Sequence, residues 1–192
     1  MPAIENTLPQ VVIISASVRT GRKSHRVALF FKKFLIDNKI ANVEILDLWQ
    51  YKFPIFEERF RYQKNPAENV IQFAQQVKLS DAVIIVTPEY NGGYPASLKN
   101  VTDLLYDEWK RKPVAISMVS DGIFGGTQVI TSLLFSLWKI GAWVVPAMFP
   151  VPKVDTAFSE DGLPADMITE KRAEKFIAEL IWAVKAIKKM KK

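Results

Sequence analysis

From residue 11 onward the chain alternates short β-branched apolar runs with longer stretches that are apolar on one side only. That order limits the fold more than any other feature, because strands separated by helical stretches are joined by crossovers, and crossovers make parallel sheets. Val11-Val12-Ile13-Ile14 is too short for a helix and reads as a strand buried on both faces. Residues 24–38 follow, with Val27, Phe31, Phe34 and Leu35 on one helical face. A second strand is expected over 42–48, then Asn65 as N-cap and Pro66 as first residue of a helix carrying Val70, Phe73 and Val77. The third strand is expected over 81–87 and a helix over 96–109, stopped by Lys112-Pro113 before a fourth strand over 114–120. A helix over 126–140 closes on Gly141 as its left-handed cap. The fifth strand is expected over 142–146, and a last helix runs from Met167 to the end.

Crossovers are right-handed in nearly all parallel sheets, so five such units give a doubly wound five-stranded sheet, for which 2-1-3-4-5 is a common order. Helices then cover both faces. With 192 residues, no repeat and no linker, the chain reads as one domain over 1–192. In that order the first, third and fourth strands are neighbours, and their C-terminal loops converge on the crevice where open α/β sheets bind ligands.

Composition removes several chemistries. The chain has no Cys, which excludes a disulfide framework, a thiolate nucleophile and a cysteine metal centre, and its single His, His25, excludes a His-rich one. We expect no metal and no Ser-His-Asp triad. The net charge of +6 sits entirely beyond residue 170, where eight Lys and Arg face two acids, Glu174 and Glu179. Cations at a helix C-terminus suit its dipole, so a solvated helix end is expected rather than a nucleic-acid or membrane surface. No apolar run approaches a membrane span, and MPAIENTLPQ has no signal-peptide pattern, so a soluble cytoplasmic protein is expected.

The three converging loops are unusual. The first, 15–26, carries four cations, three Ser and a Thr, no acid, and the start of a helix. Helix N–H groups, hydroxyls and guanidinium groups together can cradle a terminal phosphate. The alternative is that Ser24 caps its helix and the cations are solvated. Neither a dinucleotide fingerprint nor a Walker A loop is present. The second loop, 87–96, holds two Gly, two Pro, two Tyr and Asn91, a surface suited to the edge of a planar ring. The third, 120–127, holds three Gly that permit close backbone approach.

At these loops the sequence resembles the flavodoxin-like NAD(P)H-dependent FMN reductases, a family with quinone, azo-dye and chromate reductases among its members. The resemblance is densest at Pro88-Glu89-Tyr90-Asn91 and over Gly93-Tyr94-Pro95-Ala96-Ser97-Leu98-Lys99-Asn100, and extends to Ser17-Val18-Arg19, Gly21-Arg22, Ser24, Ser120, Gly122, Gly125 and Gly126. It implies a single flavodoxin-like FMN-binding domain. Ser17, Arg19 and Ser24, with Arg22 beside them, would hold the FMN phosphate. Pro88, Glu89, Tyr90 and Asn91 would line the isoalloxazine, and Ser120, Gly122 and Gly125 would close its other side. Ala16 stands where the family usually has Gly, and Asp121 where an aromatic is common.

The implied activity is ping-pong hydride transfer from NADPH or NADH to flavin N5 and on to a small-molecule acceptor such as a quinone, free flavin or azo compound. The cofactor carries that chemistry, so no residue is expected as a catalytic acid, His25 included. The alternative is a non-enzymatic FMN-binding electron carrier or redox-sensing partner. Cations at Arg22, Lys23 and Arg26 are candidates for the 2′-phosphate of NADPH. The six aromatics between Trp49 and Tyr62, interleaved with Arg59 and Arg61, point to a homodimer or tetramer interface rather than nucleic acid. Trp109, Trp138, Trp143 and Trp182 are expected as core or helix-packing residues.

Overall fold

The computed structural model describes residues 7–190. Five parallel strands, β1 (Gln10–Ser15), β2 (Asn42–Asp47), β3 (Ala82–Pro88), β4 (Pro113–Val119) and β5 (Trp143–Val151), form one sheet in the order β2-β1-β3-β4-β5. Between and after them lie helices α1 (Ser24–Asp37), α2 (Leu48–Tyr51), α3 (Glu68–Leu79), α4 (Ala96–Leu104), α5 (Val129–Lys139), α6 (Val154–Ala157) and α7 (Met167–Met190). The expected end of the last helix, at Lys191 and Lys192, lies outside the described residues.

Strand periodicity builds two cores. Val11 and Ile13 of β1 face one side and Val12 and Ile14 the other, as side chains two residues apart must. The first side meets Val27 and Phe31 of α1 and Phe176 and Leu180 of α7. The second meets Phe73 of α3, Leu98 of α4 and Leu133 of α5. The central strands β3 and β4 are buried throughout, which is why they read as unbroken apolar runs.

Several element boundaries differ from expectation for physical reasons. The third helix begins at Glu68 rather than at Pro66, because Ala67 is extended and its carbonyl is the first to accept helical N–H groups, from Val70 and Ile71. α4 stops at Leu104. Leu105 turns extended, and a short 3-10 turn, Asp107–Trp109, carries the Trp109 ring into the core. α5 begins only at Val129, since Gly125 and Gly126 have φ of +62° and +76°, outside helical space. Its end is as expected: Gly141 has φ +81°, and the N–H groups of Gly141 and Ala142 close on Trp138 and Leu137. β5 runs on to Val151, past the expected end at Pro146. Pro146 and Pro150 are tolerated because β5 is an edge strand with a register shift opposite Val114 and Ile116. Of the four tryptophans expected as core or helix-packing residues, only Trp109 is buried; Trp138, Trp143 and Trp182 are about half or more exposed.

Candidate functional site

The C-terminal ends of β1, β3 and β4 lie side by side, so the three loops meet as the strand order requires. Between them is a pocket of about 260 Å³ walled by Ser17, Arg19, Ser24, Tyr90 and Ser120. Arg22, Pro88 and Glu89 also line it. Asn91, Gly122 and Gly125 do not. Asn91 (φ +51°) and Gly92 (φ +78°) form the tip of a tight turn in which Tyr90 and Gly93 exchange main-chain hydrogen bonds of 2.8 and 3.1 Å. Gly125 packs inward: a Cβ there would lie 3.0 Å from Pro150 Cβ and 3.1 Å from Val151 N.

At the first loop, Ser17 is fully buried, and its Oγ shares a 2.7 Å hydrogen bond with Tyr90 Oη and accepts the Arg19 N–H at 3.3 Å. Lys23 precedes α1 with no side-chain cap, and the first turn holds no acid. Ser24 does not cap the helix. It is the first helical residue, and its Oγ is buried without a hydrogen-bond partner. Arg19 makes no ion pair or side-chain hydrogen bond among the described residues. Open helix N–H groups, an orphaned hydroxyl and an unpaired guanidinium are the donors that a phosphate monoester satisfies, so the residues present fit a flavin mononucleotide.

The remaining cations are committed elsewhere. Arg22 forms a two-pronged ion pair with buried Asp47, Lys23 Nζ lies 2.8 Å from Asp155, and Arg26 reaches Asp155 at 3.5 Å and the Phe158 carbonyl at 3.1 Å. The hydrogen bond from Lys23 holds the Asp155 carboxyl below its usual pKa; burial opposes it, and the charges of Lys23 and Arg26 add to the lowering. None of the three is free for a 2′-phosphate, so the basis for preferring NADPH in this loop is lost. Asp121 is exposed and leans towards Lys23, at 3.9 Å.

His25 sits beneath the loop, its Nδ1 3.0 Å from Ser15 Oγ and 3.8 Å from Asp47 Oδ2. A nucleophilic triad uses opposite ring nitrogens and an accessible hydroxyl, whereas here both groups address Nδ1 and Ser15 is fully buried. Burial lowers the His25 pKa, Asp47 raises it by a smaller amount, and Arg22 lowers it further. Asp47 was not among the expected site residues. The signal for it is positional: a lone carboxylate ends β2, the strand beside β1.

The third loop is laced to the end of β5. Ser120 N–H donates to Val151, Val154 N–H to Ser120 and Lys153 N–H to Gly122, while Ser120 Oγ bonds the Gly122 carbonyl at 3.2 Å. The aromatic segment 49–62 divides. Tyr51 and Phe53 stack at 5.1 Å and pack edge-on against Phe73, whereas Trp49, Ile55 and Tyr62 are exposed. Arg59 lies over Tyr106 of the same chain at 4.7 Å, whereas Arg61 is exposed, over Tyr62 at 5.0 Å and 3.2 Å from Asp107.

A five-stranded parallel sheet in this order, with a pocket at its switch point, defines a flavodoxin-like fold. The chain belongs to the NADPH-dependent FMN reductase family, whose pattern matches residues 9–156. It is 35% identical over 133 residues to the NAD(P)H-dependent FMN reductase of Saccharomyces cerevisiae, covering 62% of this chain and 68% of that one. It is 33% identical over 122 residues to a quinone reductase of Pseudomonas putida, covering 60% and 62%. Among solved structures, the flavoenzyme NAD(P)H:(acceptor) oxidoreductase FerB of Paracoccus denitrificans superposes with a TM-score of 0.71 at 25% identity, covering 95% of this chain and 98% of that one.

Proposed function

We propose that the chain is an FMN-dependent NAD(P)H oxidoreductase that passes reducing equivalents to a planar acceptor of the quinone or azo class, working as one domain. The observation that carries this reading is the buried, partnerless Ser24 hydroxyl beside the unpaired Arg19 at an uncapped helix end. Ser17, Arg19, Ser24 and the α1 N–H groups bind the phosphate. Pro88, Glu89, Tyr90 and Asn91 border the ring system, with Ser120 and Gly122 opposite, and Gly125 supports that loop from behind. FMN, when bound, supplies the hydride acceptor at N5 and the electrons returned to the second substrate. The protein's part is to orient the ring, leave one face open to a nicotinamide, and hold negative charge at the phosphate. No side chain is required to move a proton.

The relatives are named as reductases, so no observation favours the electron-carrier alternative. Nicotinamide reductants are made inside cells, which supports a cytoplasmic location. Among the described residues no helix is long and apolar enough to cross a membrane. A homodimer is supported by exposed apolar residues, Trp49 and Ile55 after β2, Phe124 in the third loop, and Phe135 and Trp138 on α5. Steady-state NAD(P)H oxidation with a quinone, measured with and without added FMN, tests the function. FMN-dependent turnover with parallel double-reciprocal lines is expected. Tight FMN binding without turnover would contradict it.

A further inference from the structure

Arg22 belongs to the anion loop yet turns inward. Both terminal nitrogens meet the Asp47 carboxylate, Nη2 at 2.5 Å, and Nη1 also donates to the Ser17 carbonyl at 2.9 Å. Asp47 is 2% exposed, and its Oδ1 accepts the Trp49 N–H at 3.1 Å. The Trp49 indole in turn lies 5.4 Å from the guanidinium carbon. A buried carboxylate is costly unless paired, and this one is paired by a residue of the ligand loop. The stretch 18–23 needs that tie. Its main chain bonds only to Ser17, within the loop and to the start of α1, through Arg19 N–H to Ser17 Oγ at 3.3 Å, Arg22 N–H to Arg19 and Arg26 N–H to Lys23 among the described residues. The Arg22 side chain therefore fastens the loop to the sheet, at Ser17, whose hydroxyl faces Tyr90.

We propose that Asp47 is a positioning residue for phosphate binding: through Arg22 it fixes Ser17 and the loop that follows, and Arg22 is a strut rather than a phosphate ligand. This rests on the reading that the loop holds the FMN phosphate. A strut raises affinity by removing the ordering cost of the loop, and its effect is confined to the part of the ligand the loop touches. Riboflavin, which has the same ring and no phosphate, separates that effect from general damage to the fold.

The test is to titrate wild type, Asp47→Asn, Arg22→Met and the double variant with FMN and with riboflavin, following flavin fluorescence. Asp47→Asn is expected to weaken FMN roughly tenfold or more, the range seen when outer partners of ligand-holding groups are removed at metal sites, with riboflavin affinity unchanged. The double variant should bind FMN no more weakly than either single one, because both act through the same contact. Equal weakening of FMN and riboflavin would overturn the inference, since the pair would then only hold the fold. Unchanged or tighter FMN binding in Asp47→Asn would overturn it as well, with Arg22 released to bind phosphate directly. If Asp47→Asn does not fold, Asp47→Glu carries the same comparison of the two flavins. Wild type binding neither flavin would remove the cofactor reading and this inference with it, a result distinct from both others.

Discussion

The Ser24 hydroxyl separates stability from function in a single atom. A buried hydroxyl with no partner costs desolvation free energy and returns no hydrogen bond, so removing it does not weaken the fold. Ser24→Ala should leave the apoprotein melting temperature unchanged or raised. The same change should weaken FMN binding by about 1.5–3 kcal/mol, the worth of a hydrogen bond to a charged group. Thermal melts of the apoprotein beside FMN titrations check both. His25 supplies a pH signature. Its folded pKa lies below 6.5, so near neutrality the folded chain keeps it uncharged, while the unfolded chain takes up a proton as pH falls. Stability that is present above that value is therefore lost between 6.5 and the lower folded pKa. Melting temperatures from about pH 7.5 to about pH 5.5 should fall more steeply in wild type than in His25→Asn. An identical slope in the two proteins would contradict this.

At the scale of elements, α1 connects core and site. Its N-terminus opens on the pocket, while Phe31 packs among Phe30, Phe149 and Phe176 at ring distances of 5.0 to 5.3 Å. The loop before α7 reaches the same helix through Gly162, which has φ +78° and whose missing Cβ would lie 2.6 Å from the Arg26 carbonyl oxygen and 2.7 Å from Phe30 N. Gly162→Ala combines backbone strain with a clash against main chain that cannot swing away. It should cost about 3 kcal/mol, read from urea denaturation, and displace α1 enough to weaken FMN binding too. This contact leaves no trace in the sequence around Gly162, because it joins residues more than a hundred positions apart. Patterns that depend on neighbours were legible: the buried central strands, the face of α1 and the Gly141 cap. Patterns that depend on partners were not. Arg22 reads as a phosphate ligand until Asp47 is seen beside it, Ser24 reads as a cap until the helix is seen to start on it, and β5 reads as ending at Pro146 until it is seen to lie at the sheet edge.

At the scale of the whole molecule, sheet order alone brings the three loops together, and so most of the candidate site followed from topology. What topology does not settle is the surface. Val129, Leu133 and Leu137 of α5 are buried, yet Leu134, Phe135 and Trp138 are exposed on its other side, with the last two rings 5.8 Å apart. Water-exposed aromatics in such a cluster support the proposed dimer. Sedimentation equilibrium should give a dimer, and Phe135→Glu should shift it towards monomer; a monomeric wild type would contradict the dimer. A ligand that binds only the folded state stabilises it by mass action, so FMN at roughly a hundredfold above its dissociation constant should add about 2.7 kcal/mol to the unfolding free energy.

The most direct measurement is the visible absorption spectrum of the purified protein after incubation with FMN and removal of the excess, followed by anaerobic addition of NADPH. The account predicts retained flavin bands that bleach on addition of the nicotinamide. A spectrum without flavin, or flavin bands that NADPH leaves unchanged, would contradict it.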